Sequence, residues 1–160
     1  MNDFIISGEI CKKARDYGVS LLTEGNTFLD VVEKIENKIR GLGGEPAFPV
    51  DLGVGHLAAH DSPRYGDARI LKKGDVVKLD LGVHVQGAIT DTAITVEIGT
   101  NNYKKLIESS EEALKKALSI VQPGVEIREI GKVIQETIKS YGFSPIINLS
   151  GHGIEEYEVH

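Results

Sequence analysis

Cysteine is almost absent from the 160 residues. Cys11 stands alone, so no internal disulfide can form and a reducing compartment is expected. Long apolar runs are missing as well. The run inside MNDFIISGEICKK is too short for the core of a secretory signal, and no stretch approaches the ~20 residues of a membrane span. The expectation is a soluble, cytoplasmic protein with no membrane partner. Positive charge is also in short supply. Lys and Arg number 18 against 24 Asp and Glu, for a net charge of −6, which argues against a nucleic-acid surface. Lysine pairs at 72–73, 104–105 and 115–116 lie among acids or on helical patterns and read as solvated faces. What remains is ordinary for a globular chain, 41% hydrophobic and 26% charged, and long enough for one domain with a real core.

Against that background, two aspartates stand out in the stretch KLDLGVHVQGAITDTAITV. Asp is depleted in strands, yet Asp80 and Asp91 fall in the two arms of what reads as a hairpin spanning residues 75–98. Val77, Leu79, Leu81, Val83 and Val85 alternate onto one face; Asp80, Gly82 and His84 share the other. With Gln86-Gly87 as a two-residue loop, Val85 pairs with Ala88 and Gly82 with Asp91. Asp80 and Asp91 are then diagonal neighbours about 7–8 Å apart at the backbone. A four-residue loop would also keep them on one face. A three-residue loop would separate them unless a bulge intervened. Carboxylates so placed can converge on one cation or a pair of them; the bland alternative is a solvated polar edge.

The rest of the chain reads as helices around extended segments. An amphipathic helix covers residues 3–23, with Ile6, Ile10, Ala14, Tyr17 and Leu21 at helical spacing. Thr27 resembles an N-cap, with Asp30 in the first turn of a helix running to about Arg40. Pro46–Val50 reads as extended and leads through a Gly-rich loop to His60. Helices are predicted again over about 101–121 and 126–140, followed by an extended Phe143–Leu149. This order repeats with an offset of 99 residues, Gly25 falling on Gly124, Ile35 on Ile134, Gly43 on Gly142 and Pro46 on Pro145. The repeat predicts two related halves, about 1–100 and 101–160, in a single domain. It also places a second hairpin in the residues after His160, so the second half is expected to be incomplete.

Of the five histidines, His152 is flanked by glycines that let the backbone bring its ring close to another element. Two carboxylates and one imidazole suit Mn, Fe(II), Co or Zn better than thiolate-seeking metals. Two Asp and one His are too few for a pair of metals, and the repeat places further carboxylates in the absent hairpin.

The segments Pro46-Ala-Phe-Pro49, Ala58-Ala-His60, Asp80-Leu-Gly82, Gly87-Ala-Ile-Thr-Asp91-Thr-Ala93 and Asn148-Leu-Ser-Gly-His152-Gly-Ile154 together resemble methionine aminopeptidase of the second type. The archaeal form is the most similar, since residue 1 already begins the catalytic part. The resemblance covers essentially the whole chain and implies an α+β fold of the pita-bread kind, two halves related by a pseudo-twofold. It implies that Asp80, Asp91 and His152 are metal ligands, with Asp91 bridging two divalent ions (Co, Mn, Fe or Zn). It also implies that His60 and His160 contact the substrate and assist catalysis, while His56 and His84 have surface or strand-face roles. The family's two glutamate ligands fall beyond His160, so the chain carries part of the site, and one weakly bound ion is expected. The implied reaction is removal of the N-terminal Met from nascent polypeptides by a metal-activated water, in a protein that is a monomer when complete. Two alternatives stay open: a non-catalytic binding module of the same fold, and an Xaa-Pro dipeptidase.

Overall fold

A computed structural model describes residues 2–159, which form two compact units: residues 2–100 with 152–159, and residues Asn101–Gly151. In the first unit, helix α1 (Asn2–Leu21) buries Ser7, Ile10, Cys11, Ala14 and Gly18, spaced three and four apart as one helical face requires. Helix α2 (Phe28–Gly41) starts where Thr27 caps it, its side chain accepting from the Asp30 amide at 3.1 Å. Phe28, Val31, Val32, Ile35 and Ile39 are its buried stripe.

Both helices pack on a four-stranded antiparallel sheet. Strand β3 (Val76–Val85) is its centre: β4 (Ala88–Glu97) lines one edge, while β1 (Glu45–Pro46) and β2 (Asp51–Val54) share the other. The loop between β3 and β4 is the two-residue one. Gln86 and Gly87 have φ of 51° and 88°, the left-handed pair of a type I′ turn whose twist matches the strands. That turn fixes the predicted register, Val85 opposite Ala88 and Gly82 opposite Asp91. Val77, Leu79, Leu81 and Val83 are fully buried on the inner face, each such burial stabilising by about 1.5–3 kcal/mol. Helix, helix and sheet meet closely at Gly18, where a Cβ would stand 2.7 Å from Leu79 and 2.8 Å from Ile35.

Two expectations need correction. Residues 51–54 are not loop but β2, paired with Val77–Asp80. Glycine inside it suggested a loop, yet a Cβ at Gly53 would lie 2.7 Å from the Leu57 carbonyl, so the strand needs glycine where the chain doubles back. Conversely, Phe143–Leu149 forms no strand among the described residues, and Ile146 and Ile147 are 55% and 95% exposed. Extended backbone becomes a strand only beside another backbone that satisfies its amides and carbonyls, and here none is paired with it.

The second unit consists chiefly of α3 (Lys104–Ile120) and α4 (Ile127–Ser140), with Ser109, Ala113, Ala117 and Thr137 buried. Its correspondence with the first unit is close. Helices α2 and α4 are each 14 residues long and start and stop 99 residues apart, and α1 and α3 end at the same offset. Gly25 and Gly124 share left-handed φ values of 92° and 88°, as do Gly43 and Gly142 at 91° and 86°. Burial, however, differs. Phe28 and Leu22 are 4% exposed, while their counterparts Ile127 and Val121 are 84% and 56% exposed. In the first unit, residues 69–71 run beside this end of α2, with Thr27 bridged to Ile70 and the Arg69 guanidinium over the Phe28 ring. No helix among the described residues is long and apolar enough to cross a membrane.

Candidate metal-binding face

The outer face of the sheet carries the acids. Because Asp80 pairs with Ala93 and Asp91 with Gly82, their side chains emerge as diagonal neighbours on the same side, and the two carboxyls share a hydrogen bond. Asp51, opposite Asp80 on β2, is 6% exposed and accepts a hydrogen bond from the Ser62 hydroxyl. Phe48 packs onto Gly82, where an added Cβ would fall 2.3 Å from its ring. Burial pushes the Asp80 carboxyl up to about 6, and the negative charges of Asp91 and Asp51 push the same way. His60 opposes them, lying close enough for its charge to lower the value.

His60 itself has φ of 59°, and the chain on its C-terminal side is tied down. The Asp61 carbonyl accepts from the Leu52 amide at 3.1 Å, and Arg69 donates to Asp61 and Asp67, both at 2.7 Å. The Arg69 guanidinium also lies 4.5 Å from the Phe28 ring centroid, joining the loop to the capped end of α2. His152 approaches from the chain's end, its Nε2 3.6 Å from an Asp91 carboxylate oxygen, while its Nδ1 lies 3.0 Å from the Gly153 carbonyl. His160 lies outside the described residues. His56 is exposed.

Asp80, Asp91 and His152 thus meet pairwise, with Asp91 the shared member. Among the described residues no three His, Cys, Asp or Glu side chains form a ready cage. The chemistry of the donors nevertheless fits a divalent cation. Two carboxyls close enough to hold a proton between them repel when both ionise, and a cation there would replace that proton. Oxygen donors with one imidazole suit first-row divalent ions.

Sequence reasoning overlooked Asp51. An acid centred in the apolar run Val50-Asp51-Leu52 was the available signal, since burial of an unpaired carboxylate is costly.

An acid-lined sheet face with an imidazole beside it offers donors for a divalent cation, and comparison with known proteins places the chain among metallopeptidases. A family profile described as metallopeptidase family M24 matches residues 4–160, and the chain belongs to that family. Methionine aminopeptidase from Pyrococcus horikoshii is 47% identical over 160 residues, which is all of this chain and 54% of that protein. Among solved structures, methionine aminopeptidase from Thermotoga maritima superposes with a TM-score of 0.88 at 28% identity, over 97% of this chain and 65% of that one. Prolidase from Pyrococcus horikoshii superposes with a TM-score of 0.82 at 31% identity, over 96% and 45%. The chain spans about half the length of the first curated relatives it matches. The expected pita-bread fold class holds, with these residues covering part of it.

Proposed function

We propose that this chain supplies the first part of a cytoplasmic methionyl aminopeptidase, acting as a monomer on the N-terminal Met of nascent polypeptides and on neither nucleic acid nor membrane. Both units would belong to one catalytic domain. The observation that carries this reading is the shared contact of Asp91 with Asp80 and His152, in a chain 47% identical to a methionine aminopeptidase. Asp80, Asp91 and His152 would hold divalent metal, one ion or two, of the Mn, Fe, Co or Zn type. Bound divalent ions supply Lewis acidity, polarising a carbonyl and easing the ionisation of water. The chain's own groups do the rest. His60, set at the rim beside Asp80, would donate a hydrogen bond to the substrate carbonyl as negative charge develops there, with His160 assisting. Phe48 and the buried Asp51 shield Asp80 from water, which strengthens its hold on a cation.

An assay of the native gene product with Mn or Co on Met-Ala-Ser and Ala-Pro peptides tests the reading. Cleavage after Met is expected. Preferential cleavage of Ala-Pro would favour a dipeptidase, the reading to which the likeness to prolidase lends weight. Metal-free binding of a partner without any hydrolysis would favour a non-catalytic module.

A further inference from the structure

Residues 152–159 lie against the first unit, and their backbone holds an unusual conformation. Glu155 and Glu158 close a tight turn by exchanging hydrogen bonds of 2.9 and 3.2 Å, and the residue inside it with left-handed backbone is Tyr157, at φ 59°. Glycine or asparagine normally occupies such a position, and a bulky residue persists there only if its surroundings hold it. The surroundings are visible. The Tyr157 amide donates to the Gly87 carbonyl at 3.0 Å. Its ring lies so close over the turn that a Cβ on Gly87 would come within 2.4 Å of it. On the other side the ring meets the His84 imidazole, centroids 5.8 Å apart and planes tilted by 60°. His84, for which sequence gave only a strand-face role, is thereby part of a seat. Gly87 serves twice, once for the I′ turn and once by leaving room for the ring.

The same short segment begins with His152, 3.6 Å from Asp91. Tyr157 fastens its far end to the hairpin tip, and His152 meets β4 at Asp91, the fourth residue of that strand. We infer that Tyr157 is a positioning residue: seated on Gly87 and His84, its ring holds residues 152–159 so that His152 stays beside Asp91. Without the ring, only the backbone hydrogen bond from residue 157 to Gly87 would tie the turn to the hairpin tip, and the segment that carries His152 would be held less firmly. The structural part of this inference stands on geometry alone; its effect on metal rests on the ligand role proposed for His152.

Three variants of the full 160-residue chain test it. Nuclear magnetic resonance of the metal-free protein should show a through-space cross-peak between the His152 ring and the Asp91 side chain. Tyr157→Phe, which keeps the ring, should retain it. Tyr157→Gly should lose it while relieving the strained φ, leaving β3–β4 amide shifts in place and the melting temperature unchanged or higher. A merely structural turn residue would behave in the opposite way, with glycine neutral. Absence of the cross-peak in the unsubstituted chain, or its survival in Tyr157→Gly, would overturn the inference. Should Tyr157→Gly disturb the hairpin, His84→Ala takes its place, and a retained cross-peak there has the same adverse meaning. In calorimetry with Mn²⁺ alone, Tyr157→Gly should weaken affinity about tenfold or more, as loss of groups that orient a ligand does, and Tyr157→Phe should match the parent. If the parent takes up no Mn²⁺, the metal reading fails while the cross-peak still decides the anchor.

Discussion

Asp91 makes both contacts that knit the candidate site together, one to Asp80 and one to His152. Asp91 thus stands between a carboxyl and an imidazole. Removing Asp91 should therefore cost more than removing Asp80, even though Asp80 is the more buried carboxyl. In calorimetry with Mn²⁺ or Co²⁺, Asp91→Ala is expected to abolish uptake, whereas Asp80→Ala retains weak binding, about ten- to a hundredfold below the parent. Equal residual binding in the two variants would remove the shared role. These two residues were legible in sequence because a strand with period 2 and a two-residue turn leave little choice of face. Tyr157 was not. Its meaning depends on a left-handed backbone and on a hairpin tip about seventy residues earlier, neither of which leaves a local pattern. Asp51 was hidden for a similar reason, its partner Asp80 being brought near only by the β2–β3 pairing.

The elements show a repeat whose two copies have unequal surroundings. Ile35 on α2 is fully buried, while its counterpart Ile134 on α4 is only partly so. Ile35→Ala should cost about 2–5 kcal/mol, the range for truncating a closed core. Ile134→Ala should cost about 1 kcal/mol or less in the same chain, as solvent already reaches its site. Urea denaturation followed by circular dichroism separates the two, and equal losses would show that α4 is covered in solution. Helix ends, caps and the offset between copies were readable because they depend on local chemistry: Thr27, and glycines with positive φ. Strand identity was harder. β2 was missed and a strand at Phe143–Leu149 was expected wrongly, since pairing rather than composition makes a strand, and pairing partners lie far away in sequence.

At the scale of the whole molecule, the Asp80 carboxyl couples stability to pH. Its value of about 6 in the fold compares with an ordinary 3.8, so the folded chain holds that proton more tightly than the unfolded chain does. The contribution to stability is fully present below about 3.8, falls as pH rises, and is lost above about 6. Metal-free protein should accordingly melt at a higher temperature at pH 5 than at pH 7, as far as this group decides. Asp80→Asn, which cannot ionise, should flatten the difference. A melting temperature that rises between pH 5 and 7 in the parent and not in the variant would contradict the assignment.

The shared hydrogen bond between Asp80 and Asp91 has one more outcome, which concerns exchange with the medium. A carboxyl that titrates near 6 keeps its proton in mildly acidic solution, and a cation arriving there must expel it. Loading at pH 5 should acidify an unbuffered sample by about one equivalent from this group, and at pH 8 by almost none. Under the proposed metal role, occupancy of the face would be a contest between hydrogen ions and metal, and the acidity of the surroundings would set how much metal is needed to win it.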